Sequence, residues 1–71
     1  MNLNQLRYFV SVATYKSFTK AAECHYLSQT AITQQIRSLE DTLGVALIER
    51  SRRPITLTPA GNVFFQEAKS V

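Results

Sequence analysis

Between residues 28 and 44 the apolar positions recur at the interval of a helix. At about 100° per residue, Ile32, Ile36, Leu39 and Leu43 share one stripe, and Thr30, Thr33, Gln34 and Arg37 share the opposite one. The pattern predicts a helix with an apolar back and a front of amides, hydroxyls and a guanidinium. Ser28 is placed to cap its start, and Gly44 to end it in the left-handed conformation. Upstream, Leu6, Phe9, Val10 and Ala13 follow the rule of a core-facing stripe, with Asn2 and Gln5 arranged as a capping box. Ser17 caps a short helix that runs through Ala21 and Ala22 to about His25, and Leu27 lies in the turn before Ser28. The two alanines allow a neighbouring helix to come close.

Beyond Gly44 the period changes from helical to alternating. Val45 and Leu47 alternate, as do Ile55 and Leu57, and Ser51-Arg52-Arg53-Pro54 supplies turn residues between them. This predicts a short two-stranded hairpin, although Ile48 breaks the alternation and shortens the strands. Thr58-Pro59 then opens a further helix, with Thr58 as cap and Pro59 at the first helical position. That helix carries Val63, Phe64, Phe65, Ala68 and Val71. Its apolar surface exceeds what completing a core requires, so one aromatic is assigned to the core and the remainder to a partner helix of another subunit.

Composition narrows the function. Seventy-one residues make one domain, near the size where a single core is only marginally sufficient. A formal charge of +3 suits a polyanionic partner. A lone cysteine excludes an intrachain disulfide framework and suits a reducing compartment. Neither a membrane span nor a signal peptide is legible, so the expected location is the cytoplasm. Cys24 and His25 are adjacent, but one Cys and one His fall short of a zinc site, and helix neighbours do not converge as a catalytic pair. No metal, cofactor or enzymatic activity is expected of these residues. His25 is read as a core or half-buried histidine facing the third helix.

The polar front of the third helix is the main candidate site. Solvated helix faces favour Lys and Glu, which are better helix formers than Thr, so a Thr and Gln cluster at a helix start is poorly explained by solubility alone. Amides, hydroxyls and guanidinium are the groups that read base edges in the major groove and reach phosphate. Arg50, Arg52 and Arg53 lie within four residues in the hairpin turn. Alone, such a run reads as a solvated turn; after a helix of this kind, Arg52 and Arg53 become candidates for nucleic-acid contact. Arg50, beside Glu49, is read as a structural ion pair or packing residue. A protein-interaction module docking through the same polar face is the alternative.

The segments LNQLRYFVSVA, SFTKAAE, LSQTAITQQIRSLEDTLG and LIERSRRPITLTPAG carry a resemblance. Across essentially the whole chain they are similar to the N-terminal DNA-binding domain of LysR-type transcriptional regulators. The resemblance implies a mainly α, winged helix-turn-helix with a three-helix core and a two-stranded β wing over residues 1–58, then the start of a long linker or dimerisation helix over 59–71. It implies sequence-specific binding of double-stranded DNA by a dimer or higher oligomer. A small-molecule effector would be read by a C-terminal domain outside these residues. Matched to the family's positions, Gln29, Thr30, Thr33 and Gln34 read bases, with Arg37 following on the same face. Arg53 and Pro54 form the wing pair at the minor groove, with Arg52 beside them, and Ser17, Thr19 and Lys20 contact phosphate. Phe64, Phe65, Ala68 and Val71 are assigned to the dimer interface. Thr30 stands where proline or serine is common, Gln34 where arginine is frequent, and His25 where leucine or another apolar residue is usual.

Overall fold

The computed structural model describes residues 1–70. Four helices and one hairpin follow in order: α1 (Leu3–Tyr15), α2 (Phe18–Cys24), α3 (Gln29–Leu43), β1 (Ile48–Glu49), β2 (Thr56–Leu57) and α4 (Pro59–Ala68). Each helix starts on the cap that the sequence offers. Asn2 Oδ1 accepts from the Gln5 N–H at 2.8 Å, Ser17 Oγ from Lys20 at 3.1 Å, Ser28 Oγ from Ala31 at 3.0 Å and Thr58 Oγ1 from Gly61 at 2.9 Å. Gly44 ends α3 at φ 74°, its N–H bonded to the Glu40 carbonyl.

One core joins all the elements. Phe9 and Val12 of α1, Ala21 of α2, and Ile32, Ile36 and Leu39 of α3 are fully buried, with Leu47, Ile48 and Ile55 closing the hairpin side. Phe64 and Phe65 of α4 both meet Phe9 edge-on, at ring centroid distances of 5.4 and 6.3 Å. Both aromatics, rather than one, therefore pack on the core, each remaining partly exposed. Ala68 is buried, and the outward apolar residue of α4 is Val63, 66% exposed. Val71 lies outside the described residues.

Four further expectations change. Gln5 does not reach back to close a capping box; its Nε2 donates across the core to Gln35 Oε1 at 3.2 Å. The buried face of α1 is thereby turned to Gln5, Phe9 and Val12, leaving Leu6, Val10 and Ala13 only partly covered. Leu43 is exposed, and Glu40 takes the last buried place on the α3 stripe because its carboxylate has backbone partners there. Val45 and Leu47 form no strand. The ladder is antiparallel and pairs Ile48 with Leu57 and Glu49 with Thr56. The Leu47 carbonyl still accepts from Thr58 N–H in register with that ladder, but its N–H turns away to Glu40, and Leu47 and Ile48 are buried in succession.

Candidate nucleic-acid interface

Burial of Ile32, Ile36 and Leu39 fixes the rotation of α3 about its axis. Gln29, Thr30, Gln34 and Arg37 are consequently exposed and Thr33 half-buried. All five line one continuous shallow surface. None of the base-reading candidates is drawn into the interior, which is the geometric condition for α3 to present them to a ligand. The first turn of α3 also carries N–H groups with no intrahelical acceptor, a partial positive charge suited to an anion.

The other candidates gather around the start of this helix. A cleft of about 200 Å³ is lined by Lys16, Ser17, Phe18, Thr19, Gln29, Arg53, Pro54 and Ile55, so the start of α2, the start of α3 and the hairpin turn share one rim. Ser17 accepts from the Lys20 N–H, which leaves its own hydroxyl proton able to donate. Thr19 and Lys20 are exposed. Arg53 folds over its own turn, Nη1 donating to the carbonyls of Arg50 at 2.7 Å and Arg52 at 2.9 Å. Arg52 and Pro54 are exposed beside it. The candidates thus span two elements plus the hairpin turn.

Arg50 serves the scaffold, but its partner is not its neighbour. Its Nη1 lies 3.1 Å from Glu40 Oε1, and its guanidinium sits 5.4 Å from the centre of the Phe18 ring. Just past the end of β1, Arg50 turns back onto α3 and away from Glu49. Glu49 instead accepts from the hydroxyl and N–H of Ser51, at 2.7 and 3.1 Å. Those two hydrogen bonds, with the Arg52 charge assisting, hold its carboxyl below the usual carboxylate range.

Glu40 was not legible as a site residue. Its Oε2 accepts from the N–H groups of Leu47 at 2.7 Å and Ile48 at 3.1 Å while its charge pairs with Arg50. It therefore clamps the root of the hairpin to α3, and Arg50 extends that clamp to α2. The available signal was a glutamate falling on an apolar stripe. Lys16, in the left-handed conformation at φ 53°, reaches the same cleft and was also missed.

His25 corrects an expectation as well. It is half-buried, but it faces α1: Nε2 lies 2.8 Å from Ser11 Oγ, and the ring meets Tyr8 edge-on at 4.9 Å. As the residue closing α2, it points back along that helix toward the element preceding it. Cys24 is exposed with Sγ 3.4 Å from Tyr15 Oη, and their hydrogen bond together with repulsion between the two anionic forms holds the Tyr15 pKa above its usual value.

The family profile described as bacterial regulatory helix-turn-helix protein, lysR family, matches residues 3–62. The chain belongs to the lysR family. Among relatives of this lysR-family chain, the HTH-type transcriptional regulator BenM of Acinetobacter baylyi is 47% identical over 68 residues. The match covers 96% of the chain and 22% of BenM. The Hca operon transcriptional activator HcaR of Escherichia coli strain K12 is 46% identical over 71 residues, covering 100% of the chain and 24% of the relative. The lysR-family chain thus spans about a quarter of the length of these relatives. Among solved structures, BenM DBD in complex with benA site 1 DNA matches with a TM-score of 0.96 at 46% identity, over 99% of this chain and 79% of that one. A CbnR DBD–DNA complex matches with a TM-score of 0.92 at 44% identity, over 99% and 80%.

Proposed function

We propose that this lysR-family chain binds double-stranded DNA sequence-specifically, as a dimer or higher oligomer of a transcriptional regulator. The observation that carries the reading is the orientation of α3. Its back is locked by Ile32, Ile36 and Leu39, and its exposed front holds Gln29, Thr30, Gln34 and Arg37 on a fold that matches DNA-bound relatives. In this reading α3 enters the major groove with Gln29, Thr30, Thr33 and Gln34 toward base edges and Arg37 behind them. Ser17 and Lys20 meet the flanking backbone, with Thr19 exposed between them. The turn with Arg52, Arg53 and Pro54 lies at the adjacent minor groove, where a narrow groove attracts arginine.

Residues 1–58 form the DNA-binding unit and residues 59–71 the start of the linker helix, whose Phe64 and Phe65 also brace the core. Pairing through that helix, with Val63 on its outward side, presents two α3 helices one turn of DNA or a multiple apart, about 34 Å per turn. Effector recognition is assigned to the part of the longer relatives that this chain does not span, and no catalytic group or cofactor is assigned to residues 1–71. Among the described residues no group of side chains is placed to hold a metal, and no helix is long and apolar enough to cross a membrane. The cytoplasm, where a chromosomal target lies, is the location that fits.

The test is selection of bound sequences from a random duplex pool. Gln29→Ala and Thr33→Ala should each change the preferred base at one position, costing about 1–3 kcal/mol there. An unchanged selected sequence would refute the base-reading assignment. Absence of any duplex binding at low salt would favour a protein-docking role for the same face.

A further inference from the structure

We propose that Thr19 is a positioning residue that orders the Gln29 side chain for base reading, in place of the phosphate contact its sequence position implies. The inference rests on the assignment of Gln29 as a base reader. Thr19 is the second residue of α2 and Gln29 the first of α3, and the Thr19 hydroxyl donates across the gap to Gln29 Oε1 at 3.4 Å. A threonine hydroxyl inside a helix commonly returns to the carbonyl four residues earlier. Here that residue is Tyr15, which belongs to α1, so α2 offers no such acceptor. Capping does not claim the hydroxyl either, because Ser17 already accepts from the Lys20 N–H. The remaining partner is the amide across the turn.

A glutamine at a helix start is flexible, and fixing it on a base costs conformational entropy. A hydroxyl held to Oε1 restricts the amide before DNA arrives. It occupies one lone pair of that oxygen and leaves the second, together with both Nε2 hydrogens. Those remaining groups suffice for the paired donor and acceptor contact that glutamine makes with adenine N7 and N6. The cleft shared by Thr19, Gln29 and Arg53 keeps both side chains at the rim where a duplex edge would enter. Lys20, next in sequence and exposed, remains the phosphate partner on this helix.

The experiment measures fluorescence anisotropy of the chain on its selected duplex and on single-base variants of it. Gln29→Ala first identifies the base pair whose discrimination disappears. Thr19→Val, nearly isosteric and exposed, should reduce discrimination at that same base pair about 3- to 10-fold, leaving other positions and the salt dependence unchanged. Thr19→Ser, which keeps the hydroxyl, should retain discrimination. The proposal is overturned if Thr19→Val leaves that base pair's discrimination intact, or weakens all duplexes alike while flattening the salt dependence, as loss of a phosphate contact would. If Gln29→Ala alters no position, the base-reading assignment itself falls, and the positioning role falls with it.

Discussion

Tyr26, in the turn between α2 and α3, adopts a φ of 56° and is 97% exposed. The left-handed region crowds the Cβ of an L-residue against backbone, whereas asparagine tolerates it. Since the tyrosine ring packs on nothing, Tyr26→Asn should relieve crowding without opening a cavity and raise stability by about 0.5–1 kcal/mol. Thermal unfolding checks this, and a lowered midpoint would mean that the ring contributes to the fold. Glu49 gives a second test at this scale. Its carboxyl is held below its ordinary value of 4.5 by the Ser51 hydroxyl and N–H. A group depressed in the folded state stabilises above its unfolded value, and that contribution fades as pH falls through the folded one. Ser51→Ala should therefore move the Glu49 titration upward toward 4.5, as followed by carboxyl carbon NMR; an unmoved titration would remove the Ser51 hydroxyl as a cause. The caps at Asn2, Ser17, Ser28 and Thr58 were legible because a cap depends on its own helical turn. The partners of Gln5, His25 and Arg50 were not, because each lies on another element.

Among elements, the hairpin shows where pattern reading stops. Alternation at Ile55 and Leu57 located β2, but β1 begins later than alternation at Val45 and Leu47 suggested. The start of β1 is set by Glu40, which takes the N–H groups of Leu47 and Ile48, and no local periodicity encodes a hydrogen bond from a preceding helix. The same carboxylate explains why Leu43 is exposed despite its helical spacing. Packing of α4 on this hairpin is equally close. Gly61 is buried, and a Cβ placed there would run into the Leu47 carbonyl. Alanine normally strengthens a helix interior relative to glycine, so the two effects oppose each other. Backbone crowding should win, because the Leu47 carbonyl is held by Thr58 N–H and has nowhere to withdraw. Gly61→Ala should then destabilise by about 1–3 kcal/mol, read as a lower denaturation midpoint. An unchanged or raised midpoint would show that α4 can shift on the hairpin at little cost.

For the whole molecule, an excess of +3 distributed over a small domain matters through where its cations meet the proposed duplex. Each phosphate neutralised releases counterions, so the slope of log affinity against log salt counts ionic contacts at about 0.9 per contact on duplex DNA. Arg53→Ala should flatten that slope while weakening binding to preferred and unrelated duplexes alike, since a wing arginine contributes charge more than base readout. Arg53 Nη1 also bonds to the carbonyls of Arg50 and Arg52, so loss of the side chain loosens the turn as well as removing charge. Arg53→Lys separates these effects: it retains the charge, and should restore the slope even if the turn stays loosened. The size of the change also reports stoichiometry. One bound chain loses one ionic contact, a slope change of about 0.9, whereas a dimer carries the substitution twice and should change by about 1.8. A change near the smaller value on a duplex with two half-sites would argue against paired binding through α4. No change in either variant would place the wing away from the DNA backbone, and the cations of α2 and α3 would then have to anchor the complex.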